Sequence, residues 1–251
     1  MVCTGDRNAP RDRILNAMSN ADLALLQRHL DAVPLKFRPR LQSSNRAIRH
    51  LHFPESGIAS VAAVGNGEGR QAEVAVVGRD GMTGLPIVHG TDRSPCDIFV
   101  QVDGAGHCIA AQKLREVMDQ SITMLRCLLL YAHAFAIRAN STALANARAC
   151  IEVRLARRLL MTRDRLDSDQ MMLTHEFLAL MLGVRRAGVS EALRALEKMG
   201  LVRTARGSVT IMDRDGLEEC ANGLYGTPEA EYERLFGTAE KGDACAASSM
   251  L

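Results

Sequence analysis

Two adjacent arginines, Arg185 and Arg186, open a helical segment whose outward side then carries Ser190, Glu191 and Arg194. A guanidinium is a planar fork of donors that bonds both acceptors on the major-groove edge of a guanine, and an α-helix is the element that fits that groove. Arginines at a helix start lie where such a helix enters the groove first. Two more arginines, Arg203 and Arg206, fall in residues 201–211, where two short β-rich runs flank a turn at Arg206-Gly207. Cations on a small hairpin beside a groove-reading helix suit backbone phosphates, which position without specifying sequence.

Other chemistries find little support. There is no Ser/His/Asp arrangement, no phosphate-binding glycine loop and no dinucleotide fingerprint, so an enzyme is not expected. Seven cysteines are scattered with no C-x-x-C spacing: Cys3, Cys96, Cys108, Cys127, Cys150, Cys220 and Cys245. That pattern excludes a zinc module and fits reduced thiols in a cytoplasm. His50 and His52 alternate on a candidate strand without a third ligand, and read as surface polar residues rather than a metal site. No metal is expected.

The elements that must hold the arginines are legible in residues 174–201. Thr174 is a natural N-cap for a helix to Leu182. Gly183 allows a tight turn, a second helix runs from near Arg185 to Met199, and Gly200 takes the position after its end. Ala179 is small where the two helices must cross, and Val184, Val189, Leu193 and Leu196 form the inner face. This is helix-turn-helix spacing, and residues 201–211 add a β-hairpin wing. The charge agrees. Residues 148–206 hold twelve Lys/Arg against seven Asp/Glu, and residues 207–251 hold three against nine, inside a whole-chain net charge of only +2. A basic segment is the footprint of a polyanion partner.

The N-terminal part has another texture. Helical spacing in residues 13–30 places Asn20 as the cap of a second short helix. From about Leu35 to Ala111, β-rich segments at 57–64, 72–77 and 97–102 are punctuated by glycines, Gly67 and Gly69 among them, which predicts a jelly roll or small barrel. From Gln112 the pattern is helical for about fifty residues. Its stripe Ile122, Leu125, Leu129, Ala132, Ala136, Ala139, Ala143 and Asn146 reads as a seam for a second copy, because small side chains let helices approach closely. Met124, Leu128, Tyr131 and Phe135 form a second apolar face for the β domain. The longest apolar run, 127–137, is too short to span a bilayer, so no membrane partner is expected. The next helix, about 150–164, turns Leu155, Leu159 and Leu160 inward and Arg154, Arg157, Arg158 and Arg163 outward. Four divisions follow: an effector domain at 14–120, a long helix at 121–146, a winged helix-turn-helix at 147–220 and an acidic extension at 221–251, with no readable structure beyond Gly237.

This order of α+β elements resembles the Crp/Fnr family of bacterial transcription regulators over residues 14–213, most closely in 152–211. The resemblance implies a cyclic-nucleotide-binding-like domain, a homodimer through the long helix, a two-fold DNA site and RNA polymerase as a partner. It places Arg186, Ala187 and Glu191 at the base-reading positions and Arg185 and Arg194 at phosphates. The family commonly has a glutamate where Ala187 stands, so its usual operator is not implied. The family's nucleotide binders carry a Gly-Glu-Leu-Gly turn and a later Arg-Ser. The matching residues are Gly81, Met82, Thr83 and Gly84, with Arg93 and Ser94 further on. The carboxylate that would bond a ribose is missing, which disfavours a cyclic nucleotide. With Cys3 alone near the N-terminus, no iron–sulfur cluster is expected. The other reading of the chain is a protein-interaction module or ligand sensor that uses the same helical hairpin without DNA.

Overall fold

A computed structural model describes residues 10–66 and 71–237 of the 251-residue chain. Gly67, Gly69, Cys3, Cys245 and the tail beyond Gly237 lie outside the described residues. The first helices are set by their caps. Asp12 accepts from the amides of Ile14 and Leu15 and opens α1 (Arg13–Ala17), and Ser19 accepts from the amide of Asp22 and opens α2 (Asn20–Gln27). The cap expected at Asn20 therefore falls one residue earlier, on a serine hydroxyl placed to reach the first free amides.

Seven strands follow: β1 (Asp31–Leu35), β2 (Arg40–Gln42), β3 (His50–Pro54), β4 (Ile58–Val64), β5 (Gln71–Val77), β6 (Cys96–Val102) and β7 (Gly104–Ala110). They form two antiparallel sheets in the orders β1-β7-β3 and β2-β6-β4-β5, a jelly-roll-like pair rather than a closed barrel. A short helix, α3 (Leu85–Val88), and α4 (Ala111–Met118) close the first sheet's core around Leu51, Phe53, Ile87, Ile109 and Leu114.

The helical stretch expected from Gln112 begins at Ala111 and breaks at residues 119–121. Ser121 caps α5 (Ile122–Arg148) by accepting from the amide of Met124, and its hydroxyl donates to Asp22. This helix has 27 residues, about 40 Å at the usual rise. By length and composition it could cross a bilayer, longer than the apolar run inside it. One face is committed elsewhere. Met124, Cys127, Leu128 and Tyr131 are fully buried in the β-domain core, and Arg138 is buried against Asp80. An apolar face packed on a sheet and a buried ion pair mark it as a core helix.

A second core holds α6 (Ile151–Arg163), β8 (Gln170–Met171), α7 (His175–Leu182), α8 (Arg186–Lys198), β9 (Val202–Ala205), β10 (Ser208–Ile211) and α9 (Arg214–Cys220). Two corrections follow from how the two units meet. Arg157 and Arg158 do not point outward; both are about 5% exposed or less. The helix α6 has the helix-turn-helix core on one side and the β4–β5–β6 sheet on the other, so it has no fully solvated face. Arg158 forms an ion pair with Glu73 on β5 (2.5 Å) and donates to the side-chain oxygen of Gln101 on β6 (2.7 Å). The acidic extension is also more than a tail. Within it α10 (Thr227–Phe236) returns to the N-terminal domain, where Tyr232 and Phe236 join the core around α1 and α5.

Candidate nucleic-acid interface

Helix α7 begins where expected, with the Thr174 hydroxyl accepting from the amide of Phe177. It ends on Gly183, whose φ of +63° belongs to the left-handed region that glycine enters at no steric cost. The amides of Gly183 and Val184 both turn back to the carbonyl of Ala179, which fixes the angle at which α8 leaves. Val189, Ala192, Leu193 and Leu196 bury the inner face of α8 against α6 and α7. Arg185 is the extended residue before the helix, and Arg186 and Ala187 are its first two residues.

The expected site residues fall into two groups. Thr174, Arg185, Arg186, Ala187, Glu191, Arg194, Arg203 and Arg206 are all exposed. Ser190 is half-buried and already engaged: its hydroxyl donates to the carbonyl of Arg186 (3.1 Å) and stands 2.9 Å from His175 Nδ1. It ties the start of α8 to the start of α7. Sequence spacing did not single out His175, because the pairing needs the two helices crossed. Glu197 was missed as well. Its carboxylate accepts from the amide (2.8 Å) and hydroxyl (3.1 Å) of Thr204, and so clamps β9 of the wing to α8. The wing turns at Gly207 between β9 and β10, and β8 adds a third strand beside β10.

The arginines of this domain divide by partner. Arg154 donates to the carbonyl of Leu182, Arg157 to the carbonyl of Leu224, and Arg158 pairs with Glu73. Arg163 pairs with Asp169, Arg165 with Asp80, and Arg214 with Asp164 and Glu218. Arg185, Arg186, Arg194, Arg203 and Arg206 have no carboxylate partner among the described residues. The first set builds the protein. The second leaves unpaired positive charge along α8 and the wing.

On α5 the expected seam lies opposite the buried face. Ile122 is 60% and Leu129 44% exposed, Ala136 and Ala143 are exposed, and Leu125, Ala132 and Ala139 are half-buried. Of the other face, Met124, Leu128 and Tyr131 are buried and Phe135 is half-buried.

Four of the six candidate effector residues line one cavity. Its volume is about 170 Å³, it lies beneath the β4–β5–β6 sheet, and Met82, Thr83, Gly84 and Ser94 share its wall with Cys96 and Phe135, but the wall holds no carboxylate or guanidinium. Gly81 lies outside that lining. A side chain there would strike the Tyr131 ring, so its glycine serves packing; Gly84 is likewise closed off by Leu51 at a φ of +78°. Arg93 is exposed, 3.5 Å from Asp92. His52 is not a surface residue: its amide donates to the Thr83 hydroxyl (2.9 Å), and burial lowers its pKa to about 4. Among the described residues no group of three His, Cys, Asp or Glu is placed to hold a metal.

Residues 153–220 match the Crp-like helix-turn-helix domain family. No curated protein matches the chain in sequence. Solved structures match through both domains. A protein assigned to the Crp/Fnr family of transcriptional regulators from Eubacterium rectale aligns at a TM-score of 0.66 with 21% identity, over 84% of this chain and 98% of that one. FixK2 from Bradyrhizobium japonicum aligns at 0.66 with 16% identity, over 76% and 96%. A CRP-family transcriptional regulator from Thermus thermophilus aligns at 0.64 with 18% identity, over 76% and 97%. At such identities the likeness establishes the fold.

Proposed function

The chain carries a Crp-like helix-turn-helix domain on the fold of the Crp/Fnr transcription regulators, and from that premise we propose that it is a sequence-specific DNA-binding regulator that acts as a homodimer. The observation that carries this reading is the set of five exposed arginines without protein partners on α8 and the wing. Elsewhere in the same domain each buried or half-buried arginine is bonded. Unbalanced cations on a rigid helix and hairpin suit a polyanion, and a helix N-terminus adds its own favourable dipole toward phosphate.

In this reading Arg186 reaches base edges from the first turn of α8, flanked by Ala187 and Glu191. Arg185, Arg194, Arg203 and Arg206 meet phosphates, with Thr174 at the start of α7 beside the backbone. The seam on α5 brings two copies together, so half-sites lie about one helical turn apart. RNA polymerase is the further partner this reading assigns, and the cytoplasm the compartment. The largely apolar lining beneath the β sheet supports an effector other than a cyclic nucleotide there, because it holds no carboxylate for a ribose and no guanidinium for a phosphate. The protein is read as a non-enzyme.

Selection from a randomised DNA pool at fixed salt tests the docking. Arg186→Ala is expected to cost about 1–3 kcal/mol and relax preference at one base pair in each half-site. Arg206→Ala is expected to weaken all sequences alike and flatten the salt dependence by about one charge. An unchanged motif with Arg186→Ala means the helix is docked differently. No salt-sensitive binding at all favours the protein-interaction module.

A further inference from the structure

A cleft of about 510 Å³ opens where the β domain, α5, the end of α6 and α10 meet, and its wall carries five arginines against four carboxylates. At its back Asp80 is shared by two buried guanidiniums, Arg138 at 2.8 Å and Arg165 at 2.7 Å. Glu229 on the same wall adds a second carboxylate near Arg165, so the two guanidiniums are matched in charge. Arg138 lies over the Tyr232 ring, 4.4 Å from its centroid, and its Nε and Nη1 have no hydrogen-bond partner. The Tyr232 hydroxyl is buried without a partner, and so is Oε1 of Glu229, whose other oxygen accepts from the amide of Gly226. Buried donors and acceptors are nearly always bonded, because each one left alone forfeits its hydration. Here three donors and one acceptor go unbonded beside a single cleft.

The geometry points to a binding site for a small organic anion, with its carboxylate or phosphate oxygens on Arg138 and Tyr232 and a hydroxyl or amine of the same molecule donating to Glu229. The site is separate from the apolar cavity beneath the β sheet. Its walls come from both domains, and Arg165 follows directly on α6, against which α8 packs. An occupant would hold the two domains in one relative placement. If α8 binds DNA as proposed above, that makes the anion an effector; the binding itself does not depend on that reading.

The test is thermal unfolding and calorimetry of the full chain with glycerol 3-phosphate or malate, against sulfate at equal ionic strength. One of the two organic anions is expected to raise the midpoint saturably, by about 3 °C at several times its Kd. The phosphate ester assigns a phosphate ligand and the hydroxy-acid a carboxylate. Tyr232→Phe removes only an unbonded hydroxyl, so it is expected to melt no lower than the wild type without ligand and to bind about five-fold more weakly. Glu229→Gln gives the same comparison at a half-exposed residue. Shifts no larger than with sulfate, or unchanged affinity in both variants, overturn the proposal. Salt-sensitive DNA binding by the same sample without any anion is read separately, so failure of one reading is not mistaken for failure of the other.

Discussion

Gly183 joins α7 to α8 at a φ of +63°, and a methyl added there would meet only the Ala72 side chain at 3.6 Å, an ordinary contact. The cost of Gly183→Ala is therefore backbone strain, about 1–2 kcal/mol for a residue with a Cβ in the left-handed region. For a chain of this size that lowers the unfolding midpoint by about 2–8 °C. A midpoint equal to the wild type would mean the turn is not held as described. The arginines show what single residues reveal in a sequence and what they conceal. Arg186 stands exposed at its helix start, as the sequence predicts. The same reasoning turns Arg158 outward on α6, yet it is buried on Glu73. Helical periodicity identifies a polar face but not what covers it. Only the fold brings Glu73, 85 positions before Arg158 in chain order, to that face.

At the scale of elements, the helix-turn-helix and wing were legible because local requirements fix them: a cap at Thr174, a turn at Gly183, apolar residues at the inner positions, a glycine at the wing turn. The return of α10 was not. Its apolar residues Pro228, Tyr232 and Phe236 recur every four residues and mark one helical face, but acidic residues between them mask it, and its partners α1 and α5 are distant in sequence. The stripe on α5 makes an element-scale prediction. It is apolar, with small residues from Ala132 onward, it is only partly covered in a single chain, and the opposite face is already used by the β domain. Light scattering at micromolar concentration is expected to give a dimer for the wild type. Ala136→Glu, which sets like charges facing each other across a dry seam, is expected to give a monomer that keeps its fold. A monomeric wild type means that this stripe is not the interface.

Over the whole molecule, the contact between the domains turns on a carboxylate taken out of water. Glu73 on β5 accepts from Ser60 on β4 and faces Arg158 on α6, with Gln101 of β6 bonded to both Ser60 and Arg158, and Arg157 and Arg165 add positive charge nearby. Loss of hydration outweighs the attraction of these cations, and the Glu73 pKa is raised from 4.5 to about 7. The sign follows from proton counting. Between those two values the folded chain holds a proton that the unfolded chain has lost, so stability falls as pH rises through this window and levels off above it. The raised pKa corresponds to a change of about 3 kcal/mol across the window. Asp80 acts oppositely. Its two guanidiniums lower its pKa to about 2 from 3.8, so its contribution is complete above about pH 4 and is lost toward pH 2. The windows of Glu73 and Asp80 do not overlap, but His52, whose pKa is lowered to about 4, adds stability as pH rises toward 6.5, so Glu73 is read from a difference. Between pH 5 and 8 the unfolding midpoint of the wild type is expected to fall relative to that of Glu73→Gln, whose amide cannot titrate. Equal slopes would show that Glu73 stays ionised in the folded chain. The ion pair with Arg158 would then outweigh the cost of burial, and the closed arrangement of the two domains would be insensitive to pH near neutrality.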